Sequence, residues 1–197
     1  MRWFASPEKC GDLPEMCLVR DGLIFIARPG VQVDWRVFFF GTYEPEARKI
    51  FRTVLPLGGV AVDVGANVGW HTLLMASLVG SRGRVLATEP NPALRHRLHS
   101  HLCINHFSQA KIIPCAAANT ERMTDFYAPA ANDLDSGNGH VVEAGPAKHG
   151  GTIRVETRRM DAIVSAAGVE RLRSYQDSTS RDSNGRFFAV ERVQSPS

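Results

Sequence analysis

The chain has 197 residues, 44% of them hydrophobic and 22% charged, the balance of an ordinary globular domain long enough for one real core. The formal charge is +3 and the pI about 8.8, too mild to imply a nucleic acid or an acidic membrane as partner. No apolar run approaches a membrane span and the first residues lack the apolar stretch of a signal peptide, so a cytoplasmic location is the expectation. The cysteines, Cys10, Cys17, Cys103 and Cys115, show no Cys-x-x-Cys spacing and read as free thiols in a reducing compartment, with no metal expected.

Taken in chain order, residues 23–27 form a short apolar run stopped by Pro29-Gly30, and residues 31–40 are rich in β-branched and aromatic side chains. Together they predict a β-hairpin region over residues 1–40. Glu44-Pro45-Glu46 opens a helix, with Pro45 suited to its first position and the acids to its positive end. Ala47, Ile50, Phe51, Val54 and Leu55 share one face of it, and Pro56 to Gly59 ends it.

An alternation of strand and helix follows. Residues 60–64 read as a buried strand, 65–69 as a tight glycine turn, 70–79 as a helix and 84–88 as a second strand. Asn91-Pro92 caps a second helix, in which Leu94, Leu98 and Leu102 repeat every four residues. Arg95, His96, Arg97, His99 and His101 make that helix basic and predict a solvated face. Residues 111–116 form a third strand, with Pro114 marking an edge or a strand end. This order implies a Rossmann-like α/β fold with a mostly parallel sheet and right-handed crossovers. Beyond it, residues 124–127 form a short strand, 130–151 a long loop, 152–157 a strand and 160–164 a short helix. Asp133 and Asp135 in the loop fail the spacing of a calcium loop.

The candidate site lies at two strand ends. Asp63-Val64-Gly65-Ala66-Asn67-Val68-Gly69 places a glycine turn between a buried strand and a helix, where a ligand can approach bare backbone and unpaired N–H groups. A carboxylate is attracted there as a phosphate would be. Thr88-Glu89-Pro90 ends the next strand, and an acid at that position reaches ribose hydroxyls. A nucleoside with an amino-acid tail, S-adenosylmethionine, fits both ends. Asp63, Gly65, Ala66, Asn67 and Gly69 are expected at the methionine moiety, Glu89 at the ribose, and Pro90 and Asn91 near the adenine. A nicotinamide-dependent oxidoreductase is the nearer rival, but it calls for Gly-x-Gly-x-x-Gly, and Asp63 stands two residues before Gly65. His71 has two readings, a general base for a hydroxyl or a structural hydrogen-bonding residue at a helix start. Trp35, Phe38, Phe39 and Phe40 either line a substrate entrance or belong to the core.

Residues 60–105, with Val-Asp-Val-Gly-Ala-Asn-Val-Gly-Trp-His-Thr-Leu-Leu, Glu-Pro-Asn-Pro and a final Ile-Asn, resemble the FkbM family of methyltransferases. Gly41-Thr42-Tyr43-Glu44-Pro45-Glu46 and the Thr157 to Asp161 segment extend the resemblance over about residues 40–172. It implies a methyltransferase domain at 41–172 with its cofactor core at 60–118. It also implies methyl transfer from S-adenosylmethionine to an oxygen of a sugar or natural-product hydroxyl, so the expected partner is a small-molecule or glycan acceptor, without nucleic acid or membrane.

The family continues with a strand like Asp-Leu-Ile-Lys-x-Asp-Val-Glu-Gly-x-Glu, whereas residues 173–197 are polar and read as an aberrant, disordered tail. Residues 173–177 can be encoded as CGA TCT TAT CAA GAT, which one base later reads Asp-Leu-Ile-Lys. Residues 177–189 can be encoded to read, two bases later, Phe-Asp-Val-Glu-Gly-Phe-Glu-Arg-Pro-Val-Leu-Arg. The tail therefore reads as a frameshifted remnant, which predicts a sheet incomplete at its C-terminal strand and allows a chain that binds cofactor without transferring a methyl group.

Overall fold

The computed structural model describes residues 6–130, 133–134, 136–142 and 151–169, and the backbone of 173–174 and 188–191. After a short 3-10 turn at Pro7–Cys10, β1 (Met16–Arg20) and β2 (Leu23–Ala27) form an antiparallel hairpin. Its turn, Asp21-Gly22, has φ of 53° and 76°, the mirror-image geometry that an Asp-Gly pair favours because it matches strand twist.

Residues 31–40 are not the second strand of this hairpin; they form helix α1 (Gln32–Phe40). Local β propensity yields here to burial. Val33 and Val37, one helical turn apart, are buried, and so is Asp34. Gly41 closes the helix at φ 75° with its N–H bonded to the Val37 carbonyl. Trp35 and Phe38 to Phe40 thereby lie on a helix, packed ring to ring with one another, and none of them lines the cleft described below.

Helix α2 (Pro45–Val54) leads into β3 (Val60–Val64), α3 (Trp70–Val79), β4 (Arg84–Thr88), α4 (Pro92–Ile104) and β5 (Ala110–Ile113). β3, β4 and β5 pair in parallel, with Asp63 beside Ala87 and Val64 beside Thr88. β3 and β4 are buried on both faces, as a parallel sheet covered on both sides requires. Ala61, Val85 and Ala87 join the larger core formed with α2, α3, α4 and the hairpin. Val60, Val62 and Leu86 face a smaller core completed by Ile163 and Val164, which sit on α5 (Met160–Ala166).

Pro114 ends β5 and divides the expected third strand. Beyond it, β6 (Cys115–Ala117) joins a second sheet with β7 (Arg122–Tyr127), β8 (His140–Val141) and β9 (Thr152–Arg158), in the order β6-β9-β7-β8. Part of the long loop is thus a strand: Tyr127 pairs with His140 and Phe126 with Val141.

Of the tail read as disordered, residues 175–187 and 192–197 lie outside the described residues. The backbone of β10 (Arg173–Ser174) and β11 (Phe188–Glu191) extends the sheet, whose order is β10-β11-β3-β4-β5. β11 runs antiparallel to β3, with Phe188 beside Asp63. Any strand there covers a row of β3 backbone donors and acceptors, whatever its side chains.

Helix α4 also departs from expectation. Its basic residues are not all solvated: Arg97 and His101 are buried. With Asn105 they recur every four residues on the face toward β2. The Ile26 N–H donates to His101 Nε2 at 3.0 Å, and His101 Nδ1–H donates to the Val68 carbonyl at 2.7 Å. Arg97 donates to the Ile26 carbonyl at 3.0 Å and to Asp34 Oδ2 at 2.5 Å, and Asp34 Oδ2 also accepts from the Arg28 N–H. Asn105 accepts from the Ile24 N–H and donates to the Ile24 carbonyl. Side chains of one helix thus replace a strand partner along the edge of β2. Among the described residues no helix is long and apolar enough to cross a membrane.

Candidate cofactor site

The turn after β3 is built by backbone that only a few residue types adopt. Gly65, Asn67 and Gly69 all have positive φ, 70°, 53° and 92°, and asparagine is the side-chain-bearing residue that tolerates this region best. The last residue of β4 fastens the turn. The Ala66 N–H donates to the Thr88 carbonyl at 2.9 Å, and the Gly65 N–H donates to Thr88 Oγ1 at 3.3 Å.

Glu89 joins the two strand tips. The Asn67 N–H donates to Glu89 Oε2 at 2.8 Å and the Asn91 N–H to Glu89 Oε1 at 2.8 Å. Asn91 caps α4 by accepting from the Ala93 N–H, and its amide donates to the Pro129 carbonyl. Arg95 reaches back to the carbonyls of Glu89 and Pro90. The loop after β4 is therefore held by its own helix and by the glycine turn together.

These tips open onto a cleft of about 480 Å³, within the range of roughly 300–1,000 Å³ usual for small-molecule sites. Gly65, Glu89, Pro90 and Asn91 line it. Leu94, Ala116, Phe126 and the segment 136–141 line it as well. Sequence reasoning missed that segment; its Gly and Asn content signalled a loop, not its place against Phe126.

The remaining site residues lie deeper. Asp63 is 1% exposed, and the Thr72 hydroxyl donates to its Oδ2 at 2.5 Å; it does not line the cleft, and neither do Ala66, Asn67 and Gly69. Gly69 is dictated by packing, since a Cβ there would stand 2.3 Å from Leu98 Cδ1. Asn67 is buried, and neither its amide oxygen nor its nitrogen has a hydrogen-bond partner among the described residues.

His71 belongs to a packed cluster. Its Nε2 lies 2.8 Å from Glu44 Oε2, and its ring stands edge-on to Phe51. Trp70 donates to the Tyr43 carbonyl, and the buried Arg48 guanidinium lies 4.3 Å over the Trp70 ring. The Gly41 to Glu46 segment thereby docks on the start of α3, in line with the structural reading of His71. Cys115, also on the cleft wall, has its thiol pushed up to about 11 by burial, so it is protonated and a poor nucleophile at neutral pH.

Residues 63–173 match the methyltransferase FkbM domain. The AMB antimetabolite synthetase AmbE of Pseudomonas aeruginosa is 28% identical over 152 residues, covering 60% of this chain, and the chain spans 7% of that relative's length. Among solved structures, M. jannaschii TYW2 in complex with AdoMet is similar at 13% identity and TM-score 0.39, over 89% of this chain and 83% of that one. A SAM-dependent methyltransferase from Aquifex aeolicus is similar at 14% identity and TM-score 0.34, over 79% and 90%. The domain match spans more than half of the sequence and contains both strand tips of the cleft: this chain belongs to the methyltransferase FkbM domain family.

Proposed function

We propose that the chain is an S-adenosylmethionine-dependent methyltransferase acting on a hydroxyl oxygen of a sugar or other small molecule. The observation that carries the reading is the Glu89 carboxylate, bonded to the backbone of both strand-tip loops at the wall of the cleft. A carboxylate accepts several hydrogen bonds at once, so the group that braces the loops is also suited to a ribose diol. Gly65, on the cleft wall, would leave room for the amino-acid tail, while the buried Asn67 shapes the turn behind it and Asp63 keeps α3 in register with β3 through Thr72. Pro90 and Asn91 would border the base.

When bound, the cofactor supplies a methyl group on a sulfonium, open to in-line displacement. The protein's part is to orient donor and acceptor and to exclude water, which alone accounts for a large share of such rate enhancements. Oxygen as the acceptor atom rests on the family resemblance alone, since fold does not fix a substrate.

A second reading, a chain that binds cofactor but transfers nothing, draws on the antiparallel strand beside β3, where the family resemblance calls for a different continuation. Titration calorimetry with S-adenosylmethionine, S-adenosylhomocysteine and the nicotinamide cofactors tests the binding claim; preference for a nicotinamide cofactor overturns it. Methyl transfer to a panel of sugar and natural-product hydroxyls, run with this chain and with a frame-repaired one, separates the enzyme from the remnant. Sequencing the gene through codons 173–189 tests the frameshift itself, and codons incompatible with the shifted readings remove it.

A further inference from the structure

The turn at residues 65–69 is fastened from two sides. On one side stand Thr88 and Glu89, at the end of β4. On the other stands the buried His101, whose Nδ1–H donates to the Val68 carbonyl at 2.7 Å while its Nε2 accepts from the Ile26 N–H at 3.0 Å. A carbonyl only accepts and a backbone N–H only donates, so one neutral imidazole meets both and ties the turn to β2. Two further contacts join the hairpin to Trp70, the residue after the turn. The Phe25 ring stacks on His101 at 4.5 Å and stands edge-on to Trp70 at 5.2 Å. Arg48 donates to Asp21 Oδ2, at the hairpin tip, at 2.7 Å and to the Trp70 carbonyl at 3.3 Å. The hairpin therefore reaches both flanks of the turn, Val68 and Trp70. A two-stranded hairpin is marginal on its own, so its order depends on docking through the buried Leu23, Phe25 and Ala27. Such an element can open locally while the parallel sheet stays closed.

We propose that His101 is a positioning residue that makes the glycine turn follow the hairpin, so that docking of the hairpin and binding of the cofactor strengthen one another. The Ile26 N–H fixes the tautomer and the ring orientation with which Nδ1 meets the turn. One residue before Val68, the Asn67 N–H donates at 2.8 Å to Glu89, on the cleft wall. The path from hairpin to cleft is thus two hydrogen bonds through His101, one step along the backbone, and a third bond to Glu89. Linkage is reciprocal: a ligand that favours the ordered turn favours the docked hairpin by the same factor. The cofactor half of the inference rests on the reading of the cleft as a nucleoside site; the tie between hairpin and turn does not.

Hydrogen exchange on the full chain, with and without S-adenosylhomocysteine, reads the coupling. The reporter is the Ile24 amide, which donates to Asn105 rather than to His101 and lies away from the cleft. Bound S-adenosylhomocysteine should slow its exchange by roughly fivefold, the lower end of ordinary coupling between sites. His101→Phe keeps a ring against Phe25 and removes both hydrogen bonds. It should abolish this protection and weaken S-adenosylhomocysteine in calorimetry by a similar factor. His101→Gln, with a donor and an acceptor, should restore part of both effects and carries the test if the phenylalanine variant does not fold. Variants that lose stability but keep wild-type affinity and wild-type protection of Ile24 overturn the inference. Asn105→Ala, which loosens the hairpin from α4, needs no cofactor: it should speed exchange at the Asn67 amide together with Ile24 while amides of β3 and β4 stay slow. If the wild-type chain binds no S-adenosylhomocysteine but these two amides move together, the nucleoside reading falls and the tie through His101 stands. If it binds, yet Ile24 gains no protection and Asn67 ignores Asn105→Ala, the nucleoside reading stands and the positioning role falls. If there is neither binding nor joint movement, both fall.

Discussion

The N–H of Asn67 points at a carboxylate oxygen of Glu89, 2.8 Å away across two neighbouring strand tips. The other oxygen of Glu89 is engaged by the Asn91 N–H, so one side chain sets the spacing of the glycine turn and the loop that follows β4. Glu89→Gln keeps the shape but turns an amide NH2 toward one of two backbone donors. It should lose about 2 kcal/mol of stability, the scale of a hydrogen bond to a charged group. It should also weaken S-adenosylhomocysteine by more than about tenfold, since a donor now faces part of the ribose diol. Urea denaturation and titration calorimetry read the two effects separately; stability loss with unchanged affinity would leave Glu89 as a brace only.

Gly69 makes a different claim, because its need is steric. Gly69→Ala puts a methyl group into left-handed backbone at φ 92° and within 2.3 Å of Leu98 Cδ1. Adding the conformational cost to the overpacking cost gives about 2–4 kcal/mol of destabilisation. A paired Gly69→Ala, Leu98→Ala variant should recover part of this by removing the obstructing methyl, and thermal melts of the single and double variants measure it. A double variant no better than the sum of the singles would show that backbone strain, not Leu98, decides the position.

Much of the parallel core was legible because its signals are local. The apolar run at 60–64, the glycine turn after it, and the cap and first-turn pair Asn91-Pro92 each follow from short-range geometry. The placement of Glu89, Pro90 and Asn91 at one cleft followed from the parallel topology. What escaped depended on distant partners. Residues 31–40 carry strand-forming side chains, yet their aspartate is buried against Arg97, 63 residues on. Arg97 and His101 look like a charged surface until β2 is laid beside them. The Asp21-Gly22 hairpin signal is local and could have been used to place the hairpin one strand earlier. Gly139 and Phe126 meet in the cleft wall only because β7 and β8 pair, which composition does not announce.

Asn105 shows how such a distant relation can be tested. Its side-chain amide binds both the N–H and the carbonyl of Ile24, at 2.8 and 2.7 Å, as a neighbouring strand residue would. Asn105→Ala should leave both groups without their partner and cost about 2 kcal/mol, with the effect concentrated on the hairpin. Hydrogen exchange should show the Ile24 amide accelerating far more than amides of β3 and β4. Uniform acceleration across the sheet would mean that the hairpin and the core open as one unit.

His101 supplies the expected pH dependence. Burial lowers its pKa to about 4, and the Ile26 N–H and the Val68 carbonyl hold it as a neutral tautomer with Nδ1 protonated. Its unfolded value lies near 6.5. As pH falls through 6.5 the unfolded chain takes up a proton that the folded chain refuses, so stability declines until the folded site titrates near pH 4 and levels off below it. The full span corresponds to about 3 kcal/mol. Asp34 acts in the opposite sense. Burial raises its carboxyl pKa against the pull of Arg97, so its protonation favours the folded chain at the acid end of the same range. The two are separated with His101→Gln, which cannot titrate but retains a donor and an acceptor. Denaturation midpoints of wild type and variant, measured from pH 7.5 to pH 4, should converge as the pH falls, because only the wild type carries the imidazole penalty. Parallel curves would mean that the ring is charged inside the fold, and that the bond from the Ile26 N–H to Nε2 does not exist in solution.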